Sequence, residues 1–210
     1  KVSAGRMRDE QVYVGLAVRI EKFNRLSEVV IDRVSVNGED SEEAEPMLPH
    51  VVLRAGSRLA TDVLKANRTA FHLGGRWEGR AVTAPQVARL EFFQPLPAEV
   101  AALVQGDRAG LLLRSGDFSE GAFDSLGDGR LRLGSVLLGV REHSILDEAD
   151  CLVLRKVAPE PASYRVETQG GSILLAQRAI LQGEKLVLQV AGLGEAQIGI
   201  EELKSLGPLK

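Results

Sequence analysis

A short glycine-anchored phrase recurs three times along the chain. Leu53-Arg54-Ala55-Gly56-Ser57 returns 60 residues later as Leu113-Arg114-Ser115-Gly116-Asp117, and more weakly after a further 55 residues as Thr168-Gln169-Gly170-Gly171-Ser172. In every copy an apolar-x-apolar pair begins fifteen residues after the anchoring glycine, and a second glycine follows eight residues later. The pairs are Phe71 with Leu73, Leu131 with Leu133 and Leu186 with Leu188, and the second glycines are Gly79, Gly139 and Gly194. The spacing predicts tandem copies of one unit.

The second and third copies have the alternation of a half-buried β-strand. Apolar residues alternate in Arg130–Leu133 and in Lys185–Val190, so we expect the leucines at 131, 133, 186 and 188 to be buried and the basic residues at 130, 132 and 185 to be exposed. Gly127-Asp128-Gly129 and Gln182-Gly183-Glu184 predict hairpin turns, and Gly139 and Gly194 predict sharply bent strands. The units are therefore predicted to be short antiparallel meanders, each closed by a further strand such as Cys151–Leu154 or Glu201–Leu206.

A unit of three or four strands buries a face only by curling into a small barrel or by packing on a neighbour. The predicted fold class is all-β, with three tandem SH3-like or Sm-like barrels or curled meanders, one short linking helix and an N-terminal strand pair. The predicted divisions are an N-terminal hairpin with an acidic loop (1–48), β unit 1 (49–96), a linking helix (97–106), β unit 2 (107–157), a linker (158–162) and β unit 3 (163–210). The N-terminal pair is expected from Val12–Ile20 and Glu28–Val36.

Composition excludes several classes of function. The formal net charge of −3 lacks the basic excess of nucleic-acid binders, and the single cysteine rules out both an intramolecular disulfide and a cysteine-based zinc cluster. The sequence contains no run of 18 or more apolar residues, so no transmembrane helix is predicted. The absence of an initiator Met suggests a processed or trimmed start.

No catalytic apparatus is recognisable. His50, His72 and His143 lack metal-ligand spacing, and the aspartates at 117, 124 and 128 do not match a calcium loop. Glu142-His143-Ser144 with Asp147 or Asp150 contains the residue types of a hydrolase triad, but neighbours in a strand point to opposite faces and no nucleophile elbow is present. Cys151 is expected to be a buried structural thiol. We therefore predict no enzyme activity, no metal site and no cofactor.

The only tryptophan, Trp77, lies beside Arg76 and near Arg80. Trp and Arg are enriched at binding hot spots, so these three residues are the candidate partner contact, with half-buried packing of Trp77 as the favoured alternative. Trp77, Tyr13 and Tyr164 are also the aromatic platforms that a carbohydrate-binding module would use.

The phrase Leu113–Asp117 with Glu120-Gly121, Gly139 and Ile145 resembles uncharacterised repeats of large, predicted-exported bacterial proteins of planctomycete type. The resemblance covers residues 50 to 208 and implies a periplasmic, envelope or exported location, with the cytoplasm as the alternative. More distantly, the phrase resembles the Leu-x-x-Gly start of Sm-like barrels. The first hypothesis is a non-enzymatic interaction or structural module of the bacterial envelope, or a subunit of a larger assembly, with a protein partner or self-assembly. A carbohydrate-binding module and an Sm-like RNA-binding protein are the alternatives.

Overall fold

The chain is an all-β protein with antiparallel strands. The computed structural model describes residues 49–93, 108–135 and 139–209, together with the backbone of residues 2–6 and 12–16. Residues 1–44 and 45–210 form two compact units. In the described ranges no helix is long and apolar enough to cross a bilayer.

The first unit contains one described hairpin, β1 (Val2–Arg6) paired with β2 (Val12–Leu16). The strand predicted over Val12–Ile20 is thus present in its first part, but its described partner precedes it in the chain. The expected partner Glu28–Val36, the acidic loop and the linking helix at 97–106 lie outside the described residues.

The second unit contains three strand-rich segments, here called the first (49–93), second (108–154) and third (163–209) segments. The strands of the first segment are β3 (His50–Leu53), β4 (Arg58–Ala60), β5 (Val63–Asn67), β6 (Ala70–Leu73), β7 (Ala81–Thr83) and β8 (Val87–Glu91). Those of the second are β9 (Gly110–Leu113), β10 (Phe118–Glu120), β11 (Ala122–Gly127), β12 (Arg130–Ser135), β13 (Gly139–Ser144) and β14 (Ala149–Val153). Those of the third are β15 (Tyr164–Thr168), β16 (Ile173–Gln182), β17 (Lys185–Val190), β18 (Gly194–Gly199) and β19 (Leu203–Pro208).

Three short 3-10 helices complete the described elements, at Gly75–Trp77, Ala84–Gln86 and Ile200–Glu202. The last of them corrects the strand predicted over Glu201–Leu206, because residues 201 and 202 form a helical turn before β19 begins. The predicted linker over 158–162 has no regular secondary structure, and the backbone N–H of Ala158 donates to the carbonyl of Arg54 at 2.8 Å.

The first strand of every segment pairs with the last one. β3 pairs with β8, β9 with β14 and β15 with β19, and each first strand also pairs with the strand that follows it. A simple meander, in which only neighbours in sequence pair, is therefore not what forms. Pairing with the following strand on one side and with the last strand on the other satisfies the backbone hydrogen bonds of the first strand on both of its edges.

The segments share sheets instead of closing into separate barrels. β8 pairs with β14 and β5 with β11, which joins the first and second segments, while Ile173 of β16 pairs with Arg58 of β4 and joins the third to the first. No sheet among the described strands closes on itself. Separate closed barrels are therefore not observed among the described strands; in the first and second segments, edge strands pair with the neighbouring segment instead.

One hydrophobic core runs through all three segments. It contains Leu53 and Phe71 of the first segment, Leu131 of the second, and Leu174 and Leu188 of the third, all fully buried. Across the boundary between the first two segments, the rings of Phe71 and Phe123 stack with centroids 5.2 Å apart. The segments therefore share their apolar interior as well as their sheets.

The period-2 prediction is confirmed. The four leucines at 131, 133, 186 and 188 are at most 5% exposed, whereas the basic residues at 130, 132 and 185 are exposed. The two predicted hairpin turns are also present, between Gly127 and Arg130 and between Gln182 and Lys185. Asp128 and Gly129 have φ angles of 50° and 70°, as a type I′ turn requires.

Gly139 and Gly194 occupy hairpin ends and not the interior of bent strands. They begin β13 and β18, where they pair with Ser135 and Val190. Their φ angles of 69° and 79° lie in the left-handed region, which side chains with a Cβ rarely adopt. The glycines are required by the turn geometry, which corrects the predicted location while explaining the recurrence.

Replacing Gly139 or Gly194 with Val should lower the melting temperature, because a β-branched residue at positive φ costs about 1–3 kcal/mol. Thermal unfolding followed by circular dichroism measures the shift. Gly170→Val is the matched control, since Gly170 has no positive φ and a Cβ there would meet nothing within 4 Å. Unchanged melting of both variants would contradict the assignment.

Candidate functional site

Trp77 is buried within the protein. It ends the 3-10 helix Gly75–Trp77 that follows β6, and it is only 2% exposed. The guanidinium carbons of Arg76 and Arg80 lie 5.6 and 5.9 Å from the centroid of its ring, within the range of cation–π attraction. Its burial therefore supports the packing role that sequence analysis favoured over a partner contact.

Both arginines are engaged within the chain. The guanidinium of Arg80 donates to the carbonyl of Glu195 at 2.7 Å, and that of Arg76 donates to the carbonyl of Gln197 at 3.0 Å. Arg76 also forms an ion pair with Glu202. Sequence analysis placed these residues at a partner contact, and the structure places them at a junction between the first and third segments.

The most buried charge in the described residues belongs to Glu91, which sequence analysis missed. Its side chain is 1% exposed and forms ion pairs with Arg58 and Arg89; the Nε–H of Arg89 donates to its Oε1 at 2.8 Å. A buried carboxylate is tolerated only when it is paired and hydrogen-bonded, and two guanidinium groups meet that requirement here.

The position of Glu91 in β8 explains how the cluster assembles. Arg89 and Glu91 are two residues apart and so lie on one face of the strand. Across the ladder, Glu91 is opposite His50 of β3 on one side and Cys151 of β14 on the other. In the sequence, the signal for this cluster is the pair of opposite charges two residues apart, Arg89 and Glu91, inside an otherwise apolar strand. Its third member, Arg58 of β4, could be identified only from the fold.

His50 is held as a neutral imidazole. The side chain is 7% exposed, and its Nδ1 is buried with no hydrogen-bond partner among the described atoms. Burial lowers the pKa of His50 from its ordinary value of 6.5, and the charge of Arg58 lowers it further, while Glu91 opposes both. The imidazole is therefore uncharged at neutral pH.

Cys151 is an unreactive thiol. The side chain is fully buried and unpaired with another cysteine. Burial raises the pKa of the Cys151 thiol, and the negative charge of Glu91 raises it further. Because the thiolate is the nucleophilic form, Cys151 has little reactivity, as expected for a structural thiol.

The residue types of a hydrolase triad do not assemble. His143 Nδ1 lies 2.9 Å from Oε2 of Glu148, whereas the hydroxyl of Ser144 donates to Oδ2 of Asp147 at 2.6 Å. A nucleophilic serine requires a hydrogen bond to its base, and here each side chain is bonded to a different carboxylate. No group of three or more potential metal ligands comes together in the described ranges.

Two cavities adjoin these groups. One of about 200 Å³ lies beside His50 and Glu91 and is otherwise lined mainly by apolar side chains, including Phe92, Leu126 and Ile145. The other, of about 230 Å³, lies between the first and third segments beside Arg76 and Glu202. The described lining of neither cavity contains a nucleophile paired with a base.

Truncating Glu91 should destabilise the fold, because it would leave two arginine side chains without their buried partner. Glu91→Ala is expected to lower the free energy of unfolding by about 3 kcal/mol in urea titrations. Glu142→Ala is the control, since its half-exposed carboxylate pairs with Arg130 at 3.4 Å on the surface and should cost less than about 1 kcal/mol. Equal losses in both variants would argue against a buried ion cluster.

Acidification should weaken the fold through His50. Since its folded pKa is lower than the unfolded value of 6.5, its contribution to stability is complete above 6.5 and is lost as the pH falls through the folded pKa. Urea titrations between about pH 7.5 and about pH 5.5 should show this decline, and His50→Gln should reduce its slope. A slope in His50→Gln equal to that of the parent chain would exclude His50 as its source.

Comparison of the chain with models of protein families, with curated proteins and with solved structures found no match.

Proposed function

We propose that the chain is a non-enzymatic interaction or structural module, built from three tandem copies of an SH3-like β unit and acting as a subunit of a larger assembly. The observation that carries the proposal is the use of strand edges: the first two segments bind one another through β8–β14 and β5–β11. Units that already associate by edge pairing provide the same chemistry for a further partner.

Recurring turn geometry supports the tandem copies. In each segment the residue three before the anchoring glycine donates its N–H to the residue four positions ahead and accepts from the glycine N–H. The pairs are Leu53 with Ser57, Leu113 with Asp117 and Thr168 with Ser172, and the glycines are Gly56, Gly116 and Gly171. The donors stand 60 and 55 residues apart, which are the offsets found in the sequence. The pairing of first with last strand in each segment adds to this support.

The absence of assembled chemistry in the described residues supports a role in contact. The one buried thiol is protonated, the one buried histidine with a shifted pKa is neutral, and Ser144 is bonded to a carboxylate instead of a base. A bacterial envelope or exported location follows only from the sequence resemblance and is proposed on that ground.

The burial of Trp77, the main aromatic residue of the carbohydrate alternative, argues against that alternative. The Trp77 ring is 2% exposed and covered by two arginines, so it offers no face to a sugar, and Tyr164 is half-buried. The side chain of Tyr13 lies outside the described residues. The Sm-like RNA alternative is opposed by the net charge of −3, because RNA binding depends on basic contacts to phosphate.

A triple variant separates contact from catalysis. His143→Ala, Ser144→Ala and Cys151→Ala together should leave the binding of protein partners unchanged in pull-downs from the source cells, provided that circular dichroism shows a folded chain. A panel of ester, peptide, phosphodiester and glycoside substrates should show no turnover by the parent chain. Turnover in the parent that disappears in the variant would overturn the proposal, and binding of the parent on a glycan array would favour the carbohydrate alternative.

A further inference from the structure

Two leucines of the third segment are exposed on the side of the sheet that faces the core. Leu181 of β16 is 63% exposed and Leu206 of β19 is 45% exposed. Each lies directly opposite a buried residue, Leu186 and Val166 respectively, and residues opposite one another in a ladder share a face. These leucines therefore mark an open end of the hydrophobic core.

Leu206 has a counterpart, meaning a residue at the equivalent position of the repeat, in each of the first two segments. Val51, Leu111 and Val166 lie at the same distance from the three anchoring glycines, and their partners in the last strands are Leu90, Leu152 and Leu206. Leu90 and Leu152 are 2% and 0% exposed, because they are opposite each other where β8 pairs with β14. In the third segment the corresponding residue has no such cover among the described strands.

Leu181 also has two counterparts. Phe71, Leu131 and Leu186 begin the three apolar pairs, and their partners across the ladder are Ala66, Leu126 and Leu181. Ala66 and Leu126 are each 6% exposed and are opposite each other where β5 pairs with β11. The second exposed leucine thus also occupies a position that the first two segments cover by pairing with one another.

Both junctions between the first and second segments place a residue opposite its own counterpart. An antiparallel ladder with this property has a local twofold axis at that pair, which makes the interface isologous. An isologous surface is complementary to itself, so the third segment, which keeps an apolar residue at both of these positions, offers a surface that fits another copy of the same segment.

We propose that this surface of the third segment, formed by β19 and residues 180–182 of β16, binds the same surface of a second copy of this chain. The inference deepens the proposed function, on whose tandem units it rests, by naming the partner. Leu206 would be opposite Leu206 of the other copy, and Leu181 opposite Leu181.

The residues that would face one another fit this arrangement. Around Leu181, residue 180 is opposite residue 182 of the other copy, and both are uncharged. Along β19, Ser205 is opposite Gly207, and the one charged residue, Lys204, is opposite Pro208. No like charges meet, whereas two like charges directly opposite would oppose the pairing.

Pro208 limits the length of the ladder. Its counterpart Leu154 donates its backbone N–H to the carbonyl of Ala88 at 2.9 Å across the junction of β8 with β14. Proline has no N–H, so this bond is missing from the pairing of two copies, while the bonds of the Leu206 pair and the N–H of Lys204 remain. A proline at this place stops the sheet from extending further and keeps the register centred on Leu206.

The association can be measured by sedimentation equilibrium on the full chain. We expect the mass to approach twice the monomer mass of 22.7 kDa as concentration rises. Leu206→Lys and Leu181→Lys should each weaken association at least tenfold, because each places two ammonium groups opposite one another. Val140→Lys is the matched control, an exposed apolar residue of β13 that is 57% exposed and should not change the association. A parent chain that stays monomeric up to its solubility limit would overturn the inference, as would equal association of all variants.

A cysteine variant tests the twofold axis directly. Leu206→Cys should form a disulfide-linked dimer under mild oxidation, because the two Cβ atoms of an opposed pair lie about 5 Å apart, within a small backbone shift of the roughly 3.5–4.5 Å that a disulfide spans. Val140→Cys should form no disulfide-linked dimer under the same conditions, and Cys151 does not interfere because it is buried. Dimers with both cysteines, or with neither, would contradict the assigned surface. A parent that is monomeric yet still binds another protein without turnover would refute only this inference, whereas turnover lost in the triple variant would refute the proposed function.

Discussion

The pairing of first with last strand in each segment is the constraint on which the rest of the structure depends. It places β8, β14 and β19 beside the strands that open their segments and leaves one edge of each last strand free. A free edge exposes unpaired backbone N–H and C=O groups, which favour pairing with another strand. β8 and β14 satisfy one another in this way, and the two half-closed cores merge into a single apolar interior.

Glu91 makes that junction specific. A shift of the ladder by one residue would turn every side chain of β8 to the other face and move the carboxylate into the shared core, away from Arg58. Desolvating an unpaired charge costs far more than losing one aliphatic contact. The buried ion cluster therefore favours one register of β8 against β3 and β14, and the neutral forms of His50 and Cys151 beside it avoid any further buried charge.

What could be predicted from sequence was local. Alternating leucines and positive-φ glycines act within a few residues, so β12, β17 and their hairpin turns were predicted correctly. The pairing of β8 with β14 depends on residues about sixty positions apart, and no short pattern carries that information. The same holds for Trp77. A lone tryptophan with two basic neighbours suggested a binding surface, but Arg76 and Arg80 bond to carbonyls of β18, and that contact depends on where the third segment packs.

The edges of the third segment are treated in opposite ways, and this difference directs association. The carbonyls of Glu195 and Gln197 in β18 accept hydrogen bonds from Arg80 and Arg76, so these backbone acceptors are already used and an added strand would have to displace two guanidinium groups. In β19 the carbonyl of Leu203, at the start of the strand, accepts a 3.5 Å hydrogen bond from the side-chain amide of Gln169, whereas the described side chains leave the centre of the strand, at Leu206, uncapped. Charged or capped edges resist strand addition, whereas an uncapped edge with a central apolar residue favours it. The arginines around Trp77 thus protect one edge of the segment and leave association to the other.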